Sequence, residues 1–66
     1  MKIICNGEVM EIDPVIRVEE LIRVLGLDPG SVVVECDGGI VKRDEFKFHP
    51  LKEGSVVELI RFVGGG

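Results

Sequence analysis

The sequence has no tryptophan and no tyrosine, and only three phenylalanines, Phe46, Phe48 and Phe62. Its core must therefore be aliphatic, drawn from Val, Ile and Leu, which favour strands. There is one histidine, His49, and the two cysteines, Cys5 and Cys36, have no Cys or His near them at ligand spacing. A structural zinc site needs about four such ligands, and an iron–sulfur cluster a comparable set, so a metal centre is excluded. No apolar run approaches the roughly 20 residues that span a bilayer, and no signal-peptide pattern opens the chain. These absences predict a cytoplasmic protein with no membrane segment, whose cysteines act as small buried hydrophobes. A single disulfide is allowed by count alone.

Basic clustering is missing too. Lysines and arginines are scattered singly and the net charge is −4, which argues against nucleic-acid binding. The mild acidity would favour a partner with a basic docking surface. No Ser-His-Asp set and no plausible general base can be assembled. Gly38-Gly39 lacks the helix start and lysine of a phosphate loop and reads as a hairpin turn. The chain therefore offers no catalytic residues.

What is present is a 66-residue, 45% apolar chain, one domain near the lower size limit for unaided folding. Lys2 to Cys5 reads as a strand, Asn6-Gly7 as a hairpin turn, and Glu8 to Ile12 as the returning strand. Met10 and Ile12 share one face of that strand. Asp13-Pro14 breaks it. Val18, Leu21, Ile22 and Leu25 then fall at i, i+3, i+4 and i+7, one face of an α-helix. Glu19 and Arg23 form a favourable pair one turn apart, and Gly26 with Asp28-Pro29-Gly30 ends the helix. Its start is poorly marked, because Arg17 stands where a capping Ser, Thr or Asp is expected.

Ser31 to Cys36 reads as a third strand, Asp37-Gly38-Gly39 as a turn, and Ile40-Val41 as a short return. Lys42 to Lys52 shows no clean period and reads as a loop with Phe46, Phe48 and Leu51 as apolar anchors. Ser55 to Val63 is the last strand. The order β-β-α-β-β-β predicts an α+β, ubiquitin-like β-grasp domain over residues 1–63. In that arrangement a mixed sheet of about five strands carries one main helix on one face, with the first and last strands adjacent in the middle.

Alternation along the last strand puts Val57 and Leu59 on one face, and Val56, Glu58, Ile60 and Phe62 on the other. Glu58 marks the second face as solvent-facing. Ile60 and Phe62, with Val63, are therefore candidates for partner docking. Arg61 shares parity with the core but lies near the strand end, and it interrupts a sticky apolar segment as a gatekeeper would. Gly64, Gly65 and Gly66 follow as a flexible tail. Three extended residues reach about 10 Å, and without Cβ atoms they can enter a channel closed to other residues. They deliver the α-carboxyl of Gly66, an anion at neutral pH that must be activated before it can transfer anything.

The chain resembles the ThiS family, the sulfur carriers of thiamine biosynthesis, along essentially its whole length. The resemblance rests on Ile3-Ile4-Cys5-Asn6-Gly7, on Val18-x-x-Leu21-Ile22, on Gly39-Ile40-Val41-Lys42-Arg43, and on the ending Phe62-Val63-Gly64-Gly65-Gly66. Arg17 departs from the Thr that often opens the family's helix. The resemblance implies that a ThiF-type adenylyltransferase, using ATP and magnesium, converts the Gly66 carboxylate to an acyl-adenylate. Sulfur, drawn from cysteine through a cysteine desulfurase persulfide, then replaces AMP to give a thiocarboxylate. A ThiG-type thiazole synthase takes that sulfur. The protein is on this account no enzyme, binds no cofactor itself, and serves as a co-substrate of its partners. A terminal Gly-Gly also belongs to the small subunit of molybdopterin synthase and to ubiquitin. A carrier for molybdopterin synthesis, a lysine-conjugating protein modifier and a plain interaction module are thus the alternatives.

Overall fold

Two dipeptides of the same chemistry set the two hairpins. Asn6 and Gly7 have φ of 51° and 84°, and Asp37 and Gly38 have φ of 50° and 88°. Positive φ at both central residues is the type I′ turn, whose twist matches that of the flanking strands. Asn6-Gly7 joins β1 (Lys2–Cys5) to β2 (Glu8–Glu11), and Asp37-Gly38 joins β3 (Val32–Cys36) to β4 (Gly39–Val41). The computed structural model describes residues 1–62. Among these, α1 (Val18–Val24) lies between the hairpins, β5 (Val56–Arg61) closes the fold, and 3₁₀ turns occupy Pro29–Ser31 and Arg43–Glu45.

The five strands form one sheet in the order β2-β1-β5-β3-β4. β5 enters the middle, parallel to β1 and antiparallel to β3. This is the β-grasp arrangement that the element order predicts. β5 is shorter than the sequence suggests, starting at Val56 and ending at Arg61. Ser31 falls in a 3₁₀ turn before β3, and Ile12 lies just past β2.

Val18, Leu21 and Ile22 of α1 are buried, as their spacing requires. Leu25 departs from expectation: the helix ends at Val24, so Leu25 is the C-cap residue and is exposed. The Glu19–Arg23 pair forms at 3.7 Å. The missing N-cap side chain is replaced from a distance. The Val18 N–H donates to the His49 carbonyl and the Glu19 N–H to the Phe46 carbonyl, both at 3.0 Å. The Arg17 N–H donates to Glu20 Oε1 at 2.9 Å. The free donors of the first turn are thus met by the 42–52 loop and by the helix's own third residue.

That loop also supplies core. Phe46 and Leu51 are buried against the helix-facing side of the sheet, but Phe48 is 68% exposed and anchors nothing. The rest of the core is Ile3, Cys5, Ile16, Val32, Val34, Cys36, Val41, Val57 and Leu59 with the three helix residues. Each fully buried aliphatic or aromatic side chain contributes roughly 1.5–3 kcal/mol. Cys5 and Cys36 stand opposite Val57 from its two sides, on β1 and β3. Two strand spacings, about 10 Å, exceed the reach of a disulfide. Both cysteines are free and buried. No helix among the described residues is long and apolar enough to cross a membrane.

Candidate functional site

The predicted docking residues Ile60 and Phe62 lie in and just past the end of β5. β5 is the central strand, and side-chain oxygens from both turn dipeptides hold it along its length. Asp37 clamps its start: the Asp37 N–H donates to the Val56 carbonyl at 2.8 Å, and the Val56 N–H donates to Asp37 Oδ1 at 2.9 Å. Asn6 holds its middle: the Asn6 N–H donates to the Val57 carbonyl at 2.9 Å, and the Leu59 N–H donates to Asn6 Oδ1 at 2.8 Å. Sequence reasoning saw Asn6 and Asp37 only as turn formers. Their position beside a central strand is the signal that was available, since a turn Asn or Asp has a spare oxygen for a neighbouring N–H.

Past Val57, β1 has turned away. Its ladder with β5 ends at the Cys5–Val57 pair, while β3 accompanies β5 through the Val32–Arg61 pair. The Phe62 N–H then donates to the Ser31 carbonyl at 3.1 Å. Beyond the Leu59–Asn6 bond, β5 is therefore accompanied by one neighbouring strand on one edge. Ile60 is 57% and Phe62 44% exposed, on the sheet face away from α1, as parity predicts. Ile60 lies opposite Val33, also exposed. Arg61 leaves from the helix side, where it borders a shallow cavity of about 220 Å³ with Gly26, Leu27, Asp28, Ser31 and Val32. Val63, Gly64, Gly65 and Gly66, the remaining predicted site residues, lie outside the described residues.

Another cavity, of about 310 Å³, is lined by Cys36, Asp37, His49, Pro50, Lys52 and Ser55. Burial pushes the Cys36 thiol up, and the Asp37 carboxylate, to which Cys36 Sγ donates at 3.7 Å, pushes it further. Burial also raises Cys5, aided by the nearby charges of Glu58 and Glu8. A nucleophilic cysteine needs the opposite shift. No group of three or more His, Cys, Asp or Glu gathers as a metal site among the described residues.

The topology and the exposed end of the central strand define a ubiquitin-like β-grasp domain. Comparison with known proteins narrows the class. The ThiS family model matches residues 3–66. The crystal structure of thiamine biosynthesis protein ThiS from Geobacter metallireducens superimposes with a TM-score of 0.85, at 32% identity over all of both chains. An NMR solution structure of a thiamine biosynthesis protein from the same organism gives 0.81, at 32% identity over all of this chain and 88% of that one. Two thiazole synthases match all of this chain, from Paramagnetospirillum magneticum at 33% identity and Magnetococcus marinus at 35%. The chain spans only 20% of the length of each. The chain belongs to the ThiS family.

Proposed function

We propose that this protein is a sulfur carrier for thiazole formation in thiamine biosynthesis, acting as a co-substrate through the carboxyl of Gly66. The observation that carries the reading is the family match, which runs past the end of β5 through residue 66. The similarity to thiazole synthases supports a ThiG-type acceptor.

The chemistry follows from the carboxylate. As an anion it is a poor electrophile, and oxide is not a viable leaving group. A ThiF-type adenylyltransferase with ATP and magnesium joins the Gly66 carboxylate to AMP and releases pyrophosphate. The terminal sulfur of a persulfide, charged by a cysteine desulfurase, attacks the acyl carbon and expels AMP. A thiol reduces the resulting acyl disulfide, leaving a C-terminal thiocarboxylate and a new disulfide. The thiocarboxylate sulfur is a soft nucleophile and passes to the thiazole precursor on the ThiG-type enzyme. Gly64 and Gly65, lacking Cβ atoms, let the carboxyl travel down a narrow channel in each partner. The ATP and reduced thiols required fit a cytoplasmic setting.

Intact mass spectrometry tests the reading. After incubation with a ThiF-type enzyme, ATP, magnesium, a persulfide donor and a thiol, one oxygen of the chain exchanges for sulfur. One residue added after Gly66 abolishes the exchange. No shift with a demonstrably active enzyme overturns the reading, and conjugates to lysine that survive reducing gels replace it with a protein modifier.

A further inference from the structure

Leu59 lies where β5 has lost one of its two neighbouring strands, and the side chain of Asn6 takes the lost strand's place. β1 runs parallel to β5 and pairs with it only through Ile4–Val56 and Cys5–Val57. At Asn6 the chain leaves this edge, with φ of 51° there and 84° at Gly7, to turn back as β2. The Asn6 N–H makes a final main-chain bond along the edge, donating to the Val57 carbonyl at 2.9 Å. Alternate residues of a strand turn their backbone groups to the same side, so the next donor here is the Leu59 N–H. Asn6 Oδ1 accepts from it at 2.8 Å. Leu59 is buried. Without that oxygen its N–H stays unpaired inside the fold, or the strand swings outward to reach water. Beyond this bond β5 keeps β3, through the Val32–Arg61 pair, and the Ser31 carbonyl that accepts from Phe62.

Asp37 supplies the same device at the start of the strand, with φ of 50° and Oδ1 accepting from the Val56 N–H at 2.9 Å. There β5 also has β1 beside it, through the Ile4–Val56 pair. The two bonds are chemically alike and differ in what they hold. Asp37 fastens an end that is already flanked on both edges, whereas Asn6 sets the angle at which the one-sided end leaves the sheet. We propose that Asn6 is a positioning residue for tail transfer: its side-chain oxygen holds the C-terminal end of β5 in the direction from which a partner takes up the residues after Phe62. The inference rests on the carrier reading, and it holds for whichever enzyme receives the carboxyl, because each must accept it from the same strand. Freed of the Asn6 bond, the strand end populates other directions, and apparent affinity falls with the fraction of molecules still aligned. The chemistry of a carboxyl already seated in the partner is unaltered.

The test compares Asn6→Gly with Asp37→Gly in carrier-dependent ATP–pyrophosphate exchange on a purified ThiF-type enzyme. Both variants keep the positive φ of their turns and lose one oxygen that accepts from β5. Asn6→Gly raises the KM for the carrier about three- to tenfold and leaves kcat within about twofold. Asp37→Gly leaves KM near the wild-type value, although urea titration finds both variants weakened. Asn6→Asp keeps an accepting oxygen, in the geometry that Asp37 already shows, and restores the wild-type KM. Asn6→Ser, whose hydroxyl is one bond shorter, repeats the rise in KM if the glycine variant does not fold. Amide hydrogen exchange supplies a second readout. In Asn6→Gly the Leu59 and Phe62 amides speed up more than that of Val34 in β3, and in Asp37→Gly they do not. An unchanged KM in Asn6→Gly, with the Leu59 amide open to exchange, overturns the proposal and leaves the carrier reading standing. An equal rise in Asp37→Gly also overturns it, by tracing the effect to strand stability at large. Lack of ATP–pyrophosphate exchange with the wild type overturns the carrier reading itself.

Discussion

On one face of the sheet Ile3, Cys5, Val34, Cys36, Val57 and Leu59 lie beneath α1 and the 42–52 loop. On the other, Ile4, Val9, Val33, Val56 and Ile60 look outward. The residue types are nearly the same, and alternate residues of the same strands supply both sets. What differs is the cover. The helix-facing set is closed over by Phe46, Leu51 and the helix, while the outward set stays partly exposed and is crossed by two facing carboxylates. A small domain selected for stability alone gains little from an apolar outer face and loses some stability from opposed glutamates. The two faces therefore differ in what closes them: one side is sealed by the chain itself, and the other leaves its apolar residues exposed.

Substitutions should separate the two faces cleanly. The largest effect belongs to the covered side. Phe46→Ala removes the aromatic that closes the core, at a cost of about 3–5 kcal/mol. A chain this size has on the order of 3–10 kcal/mol to lose. Circular dichroism and urea titration should show a largely unfolded or barely folded protein, and full stability would mean the loop is not part of the core. Phe62→Asp, on the open side, should leave the urea midpoint within about 0.5 kcal/mol of wild type while raising the KM of adenylation about tenfold or more. Unfolding of that variant would erase the distinction between the faces.

Smaller effects probe how β5 is held between them. Asn6→Gly keeps the positive φ of the turn but removes the oxygen that accepts from Leu59. It should cost about 1–2 kcal/mol in chemical denaturation. The smallest effect concerns the two thiols of the covered face. Both are raised from the ordinary thiol value of 9.0 by burial. Below that value folded and unfolded chains both keep their protons, and stability does not depend on the thiols. Above it the unfolded chain releases them first, so stability falls with rising pH until the folded thiols also ionise. Urea midpoints measured upward from pH 8 should decline in this way, and the decline should flatten in C5A/C36A.

Much of the covered face could be read along the chain. The spacing of Val18, Leu21 and Ile22 and the alternation around Val57 and Leu59 each report a local geometry that needs no knowledge of distant residues. The open-face positions of Ile60 and Phe62 were legible for the same reason. Leu25 misled because apolar spacing does not say where a helix stops, and one residue past the last turn its side chain leaves the buried stripe. Phe48 misled because two aromatics in an aperiodic loop look alike. The choice between them depends on how Phe46 and His49 turn their carbonyls to the first N–H groups of α1.

The sequence by itself determined the order of the strands and the helix, the positions of the two hairpin turns and the face on which each residue of the last strand stands, because these depend on neighbours a few positions away. It also carried the family signature that runs through Gly66. Only the tertiary structure decided what caps the helix, which turn oxygens hold β5, and that Glu35 stands opposite Glu58. Those pairings join residues far apart in the chain, and their register follows from how the whole sheet closes around its last strand.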